Sequence, residues 1–171
     1  VMKKKLSLLL LICILSALNI NAEIYNGSCG ENVNYSLNTE TGLLSIIGSG
    51  AMTNYIYSPD VPWYSNKSYI KVVEISDGVT SIGKMAFWNC SELTSVTIGN
   101  SVTSIEYDAF YGFSGLTKVT LNSNAIASKS YSYDSTLGSI FGSQVKEYVL
   151  GNDVTSIGSD AFEGCKSLTS V

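Results

Sequence analysis

The chain of 171 residues has 15 glycines, 11 tyrosines and no histidine, and only 14% of it is Asp, Glu, Lys or Arg, with a net charge of −4. An acidic balance without a basic stripe cannot displace counterions from a phosphate backbone, which argues against a nucleic-acid partner. The lack of histidine removes His-based triads, imidazole general bases and most zinc sites.

In chain order, Lys3-Lys4-Lys5 leads into an apolar run from Leu6 to Leu18 and a short polar segment ending at Ala22. This order of charge, apolar stretch and small residue predicts a signal peptide over residues 1–22, cleaved before Glu23. The run is short for a bilayer span, and an uncleaved membrane anchor is the alternative reading. After signal removal no segment is apolar enough to cross a membrane, so the mature chain is expected to be secreted or held at the cell surface. It would keep Cys29, Cys90 and Cys165, an odd number that leaves at least one free thiol.

Residues 23–67 are expected to form an N-terminal β cap and a lead-in coil. The alternation Val33-Asn34-Tyr35-Ser36-Leu37, the turn Thr39-Glu40-Thr41-Gly42 and the alternation Leu44-Ser45-Ile46 predict a β-hairpin. Such a cap would seal the apolar rungs and strand edges at the start of a stack. Gly48-Ser49-Gly50 fits neither a dinucleotide nor a phosphate loop and reads as part of this cap. Pro62-Trp63-Tyr64 belongs to the lead-in coil.

Residues 68–171 repeat. Val79-Thr80-Ser81-Ile82, Ala86-Phe87, Leu93, Val96 and Ile98 return 23 positions later as Val102-Thr103-Ser104-Ile105, Ala109-Phe110, Leu116, Val119 and Leu121, and the pattern resumes from Val154 to Val171. A fixed period of this length predicts a solenoid, mainly β with short helical turns, built of coils of about 23 residues. Val96-Thr97-Ile98 alternates as a strand, while Ala109, Phe110, Phe113 and Leu116 have the spacing of a helical turn. Ladders of Phe87, Phe110, Phe141 and Phe162, and of Ile70, Leu93, Leu116 and Leu168, are expected in the core. Cys90 and Cys165 share one repeat position and should face inward, too far apart to bridge.

Asp108 and Asp160 also share a position, where capping of a helical turn is the favoured reading and calcium binding the minor one. Gly112-Phe113-Ser114-Gly115 lacks the spacing of a nucleophile elbow and reads as a turn. The period breaks once: Leu121 to Leu150 spans 29 residues, with the excess near Ser128 to Ser135, a stretch expected to bulge as a loop. The pattern stops at Val171 within a strand motif, which suggests the front of a longer array.

These residues resemble the BspA-like branch of leucine-rich repeat proteins. The resemblance rests on Leu93, Val96, Ile98, Val102, Ile105, Ala109 and Phe110, and on Val154, Ile157, Gly158, Ala161, Phe162 and Cys165. Gly27, Cys29-Gly30, the run Gly48 to Met52 and Pro62-Trp63 look like the family's leader. The chain departs from it at Gly99 and Gly151, where the family often has Pro, at Glu106 in place of Gly, and at Phe113 in place of Cys. The resemblance implies secreted or cell-surface proteins that act in adhesion to host or microbial proteins, and it carries no catalytic residues.

The expected function is a non-catalytic interaction or adhesion module, without cofactor or metal, that presents a repeat surface to a protein or glycan on a host or microbial surface. Its candidate contacts are the large rings that break the repeat without serving the core: Trp88, Tyr107 and Tyr111 at variable sites, and Tyr131 and Tyr133 in the inserted loop. Shielding of neighbouring coils is the plainer role for these rings. Two other classes remain: a structural spacer or docking repeat for a downstream domain, and an extracellular carbohydrate hydrolase using acidic residues.

Overall fold

In the computed structural model, residues 22–132 and 135–171 are described. The expected signal peptide up to residue 21, and Tyr133, lie outside the described residues.

Alternating apolar and polar residues build the first strands, β1 (Ile24–Ser28), β2 (Val33–Asn38) and β3 (Leu43–Gly48), into an antiparallel meander. Its register sets Tyr25 opposite Leu37 and Tyr35 opposite Ile46. The expected hairpin is therefore three-stranded. β1 escapes a reading by alternation because it is an edge strand whose residues are exposed or half-buried throughout, so selection for a buried face is weak.

β3 continues into the repeats. After the two-residue β4 (Gly50–Ala51) come β5 (Val72–Ile75), β6 (Val79–Ile82), β7 (Ser95–Ile98), β8 (Ser104–Ile105), β9 (Lys118–Leu121) and β10 (Glu147–Leu150). One sheet of seven strands runs β1-β2-β3-β5-β7-β9-β10, and a second of three runs β4-β6-β8. From β3 onward every pairing is parallel, with Leu44 beside Val73, Val73 beside Val96, Val96 beside Val119 and Val119 beside Tyr148. Period-2 alternation turns Val73, Ile75, Val96, Ile98, Val119 and Leu121 inward, each no more than 2% exposed. Two short helices, Asn124–Ala127 and Leu137–Phe141, complete a mainly β fold.

The expected helical turns after β6 and β8 are not α-helical. Bonds from each N–H to the carbonyl three residues back close successive turns: Ala86 to Gly83, Trp88 to Met85, Cys90 to Phe87 and Leu93 to Cys90, at 3.0–3.3 Å. Left-handed residues interrupt any helix here, since Met85 and Asn89 have φ of 58° and 54°. The same fact corrects the capping role given to the two acids. Asp108 and Asp160 stand at φ of 56° and 57°, at the repeat position of Met85, so the site demands a left-handed backbone that Asp tolerates better than most residues.

Stacked rings form the spine of the core. Centroids lie 5.2 Å apart for Tyr35 and Trp63, 5.6 Å for Trp63 and Phe87, 5.0 Å for Phe87 and Phe110, and 5.0 Å for Phe110 and Phe141. The expected phenylalanine ladder then changes course, because Tyr148 stands between Phe141, at 6.4 Å, and Phe162, at 5.1 Å. Leu93 and Leu116 are fully buried, whereas Phe162, Cys165 and Leu168 are only partly so. Trp63 joins the cap's Tyr35 to the repeat rings and is held by its indole N–H, which donates to the Ala86 carbonyl at 3.0 Å.

Candidate functional site

The break in the period shapes the surface. Between β9 and β10 the chain forms two short α-helices, and each is capped by a buried hydroxyl: Ser123 accepts from the Ile126 N–H and Thr136 from the Ser139 N–H, both at 3.1 Å. Ser123 also donates to the Val102 carbonyl of the preceding unit. Asn124 then accepts from the Thr155 N–H at 2.9 Å, linking this unit to the next. Polar side chains thus join backbone bonds, such as the Gly158 N–H to the Ala127 carbonyl at 2.9 Å, where the strands of the second sheet end at β8. The signal for these caps was present in Ser123 and Thr136 ahead of Ile126 and Leu137, but the short runs that follow carry no helical period.

Tyr131 is corrected by this geometry. Expected on an exposed loop, it is 6% exposed, and its hydroxyl donates to the Ile126 carbonyl at 2.6 Å. Burial pushes its phenol up to about 12. Lys129 and Ser130 remain exposed around it, so only part of the inserted stretch faces solvent.

Beside this unit lies a cleft of about 230 Å³. Glu106, Tyr107, Asp108 and Tyr111 come from the unit after β8, and Lys129 and Ser139 from the inserted unit, over a floor that includes Ala109 and Ile140. Tyr107 and Tyr111 are 75% and 60% exposed, so neither ring is spent on the core. Of the residues singled out from sequence, these two are brought together. Trp88 lines a separate small notch with Tyr64 and Lys67, and is half-buried there.

Glu106 stands out in the sequence only as a departure from the family pattern. Gly83 and Gly158 share its repeat position, and a Cβ on them would lie 1.9 Å from the Thr53 carbonyl oxygen and 1.7 Å from that of Lys129. Close approach of the neighbouring chain therefore requires glycine in those two units. The unit directly after Gly83 carries an exposed carboxylate instead, and it lines the cleft.

Cys29, Cys90 and Cys165 are free thiols. Burial pushes Cys29 and Cys90 up to about 12 and raises Cys165 as well, so all three stay protonated and unreactive at neutral pH. Among the described residues no group of three or more Cys, Asp or Glu side chains is placed to hold a metal ion. No helix among them is long and apolar enough to cross a membrane.

A mainly β array whose strands from β3 onward pair in parallel, β5, β7 and β9 at 23-residue intervals, defines a class of repeat protein. Residues 62–171 match the family model for the BspA type leucine rich repeat region in 6 copies, and the chain belongs to that family. Among solved structures it is similar to a leucine-rich repeat protein from Eubacterium ventriosum, with 19% identity and a TM-score of 0.51 over 77% of this chain and 45% of that one. It is also similar to a leucine rich cell surface protein from Faecalibacterium prausnitzii, with 18% identity and a TM-score of 0.35 over 86% of this chain and 54% of that one. The first likeness is one of fold. The chain spans less than half the length of the Eubacterium protein. No curated protein sequence matches it.

Proposed function

We propose that the chain is a non-catalytic interaction module, secreted or displayed at the cell surface, that binds protein or glycan on a host or microbial surface. In this reading residues 23–67 cap and open a solenoid of 23-residue coils, and residues 68–171 supply its binding surface. The observation that carries it is the division of labour among side chains. Regular repeat positions are consumed by the core, while Tyr107 and Tyr111 remain exposed at a cleft where the period breaks. A preformed surface of this kind binds with little ordering cost. Membership of a leucine-rich repeat family supports an interaction role over a catalytic one.

The test is capture. Purified chain from Glu23 onward, immobilised and exposed to solubilised surface proteins and to a glycan array, is expected to retain a discrete set of ligands and to change cell attachment. A chain that retains nothing and leaves attachment unaltered overturns the reading.

A further inference from the structure

Trp88 and Tyr111 occupy one repeat position, 23 residues apart, in different surroundings. Over Trp88 the chain lays its own cation, since Lys67 Nζ stands 5.7 Å from that ring's centroid and 4.3 Å from that of Tyr64. One unit later the residue matching Lys67 is Cys90, buried in the core. Among the described residues no ammonium group lies over Tyr111, whose ring is 60% exposed. Around it the cleft gathers Tyr107 and two carboxylates, Glu106 and Asp108, the former where the preceding unit has Gly83 and the following one Lys129. The cleft repeats the aromatic half of a cation–π pair and adds the anions that balance a charge brought from outside.

We infer that this cleft receives a lysine or arginine side chain from a basic segment of a partner protein. The rings of Tyr107 and Tyr111 contact the cation's flanks, while Glu106 and Asp108 offset its charge. Lys129 lines the same cleft, with Nζ 5.7 Å from the Tyr131 ring, and opposes the incoming cation. It therefore limits affinity and favours ligands with more than one positive charge. A sugar could also stack on tyrosine, but the charge pattern separates the two. Glu106→Gln keeps hydrogen-bonding capacity for a hydroxyl and loses only the attraction for a cation. The inference rests on the interaction reading above and names its ligand class.

The probe is a fluorescent peptide rich in lysine and arginine, titrated with the chain by anisotropy beside its glutamate-substituted counterpart and a set of neutral oligosaccharides. Wild type is expected to bind the basic peptide alone, more weakly as salt rises. Tyr107→Ala and Tyr111→Ala should each weaken binding about fivefold to tenfold, the range of a partly desolvated cation–π contact. Glu106→Gln with Asp108→Asn should weaken it and flatten the salt dependence, Lys129→Ala should strengthen it, and Lys67→Ala should leave it unchanged. All these side chains except Lys67 line an exposed cleft, and unchanged unfolding midpoints verify that the fold survives. The inference is overturned if wild type fails to bind the peptide, if the tyrosine variants bind it equally well, or if neutral oligosaccharides bind in its place. Undiminished capture of surface proteins by the Tyr107→Ala, Tyr111→Ala double variant also overturns it while leaving the broader reading intact. Wild type that binds the peptide but retains no surface protein or glycan and leaves attachment unaltered overturns the broader reading alone.

Discussion

Between β5 and β9 the units repeat every 23 residues and hold together through the backbone; between β9 and β10 the unit is longer, and buried side-chain bonds join the backbone ones. In the regular stretch, parallel ladders pair residue for residue, and threonines reinforce them, Thr94 donating to the Lys71 carbonyl at 3.0 Å and Thr103 to the Thr80 carbonyl at 3.1 Å. In the inserted stretch Ser123, Asn124, Tyr131 and Thr136 add side-chain bonds where the second sheet has ended. An array of this kind accepts extra residues where buried backbone groups can be satisfied by side chains. The insertion also gives the neighbouring unit a wall to face, which makes the cleft.

This contrast can be broken at the core, at the close approaches or at the caps. The largest loss is expected for Phe110→Ala, which removes a ring stacked between Phe87 and Phe141 and should cost about 3–5 kcal/mol in urea unfolding. Phe162→Ala should cost less, because that ring is only partly buried. Next comes Gly158→Ala, where the new methyl meets a backbone oxygen that cannot swing away. It should lower stability by about 1–3 kcal/mol, whereas Glu106→Gly at the matching position should change it by less than about 1 kcal/mol.

Alkali comes third. Cys29 and Cys90 are pushed up to about 12, so the folded state holds those protons more tightly than the unfolded chain, whose thiols titrate near 8.5. Their contribution is complete below about pH 8.5 and is lost as pH rises toward about 12, at no more than about 1.4 kcal/mol per pH unit per thiol. Thermal unfolding followed from about pH 8 to about pH 10 should show the decline, and Cys90→Ala should make it shallower. The smallest effect belongs to the inserted unit: Ser123→Ala removes one cap and one donor to the Val102 carbonyl, a loss of about 1 kcal/mol read by the same denaturant titration.

The comparison also separates what could be read from the chain and what could not. Strands β5, β7 and β9 were legible because a buried face selects aliphatic residues at every second position and the stack selects them again every 23. Trp63 reads in the sequence as part of the lead-in coil, yet its position within the ring spine depends on Tyr35 and Phe87, contributed by other units. β1 was missed because an exposed edge leaves little hydrophobic imprint. Ala109, Phe110, Phe113 and Leu116 suggested a helix because turns closed at three-residue intervals bury nearly the same positions as an α-helix. Only the backbone angles at Met85, Asn89 and Asp108 separate the two.

For the candidate site, Tyr107 and Tyr111 were visible as large rings at positions the core did not need, and Tyr131 looked the same in sequence. Its burial depends on a carbonyl at Ile126 and on the space beneath the inserted unit, neither of which has a local signature. By itself the sequence determined the repeat, its period, the interruption and the absence of imidazole chemistry, because packing and composition are written at each position. Only the tertiary structure decided which rings face solvent and that Lys129 and Ser139 line the cleft with them, because exposure and proximity between units belong to the arrangement of those units.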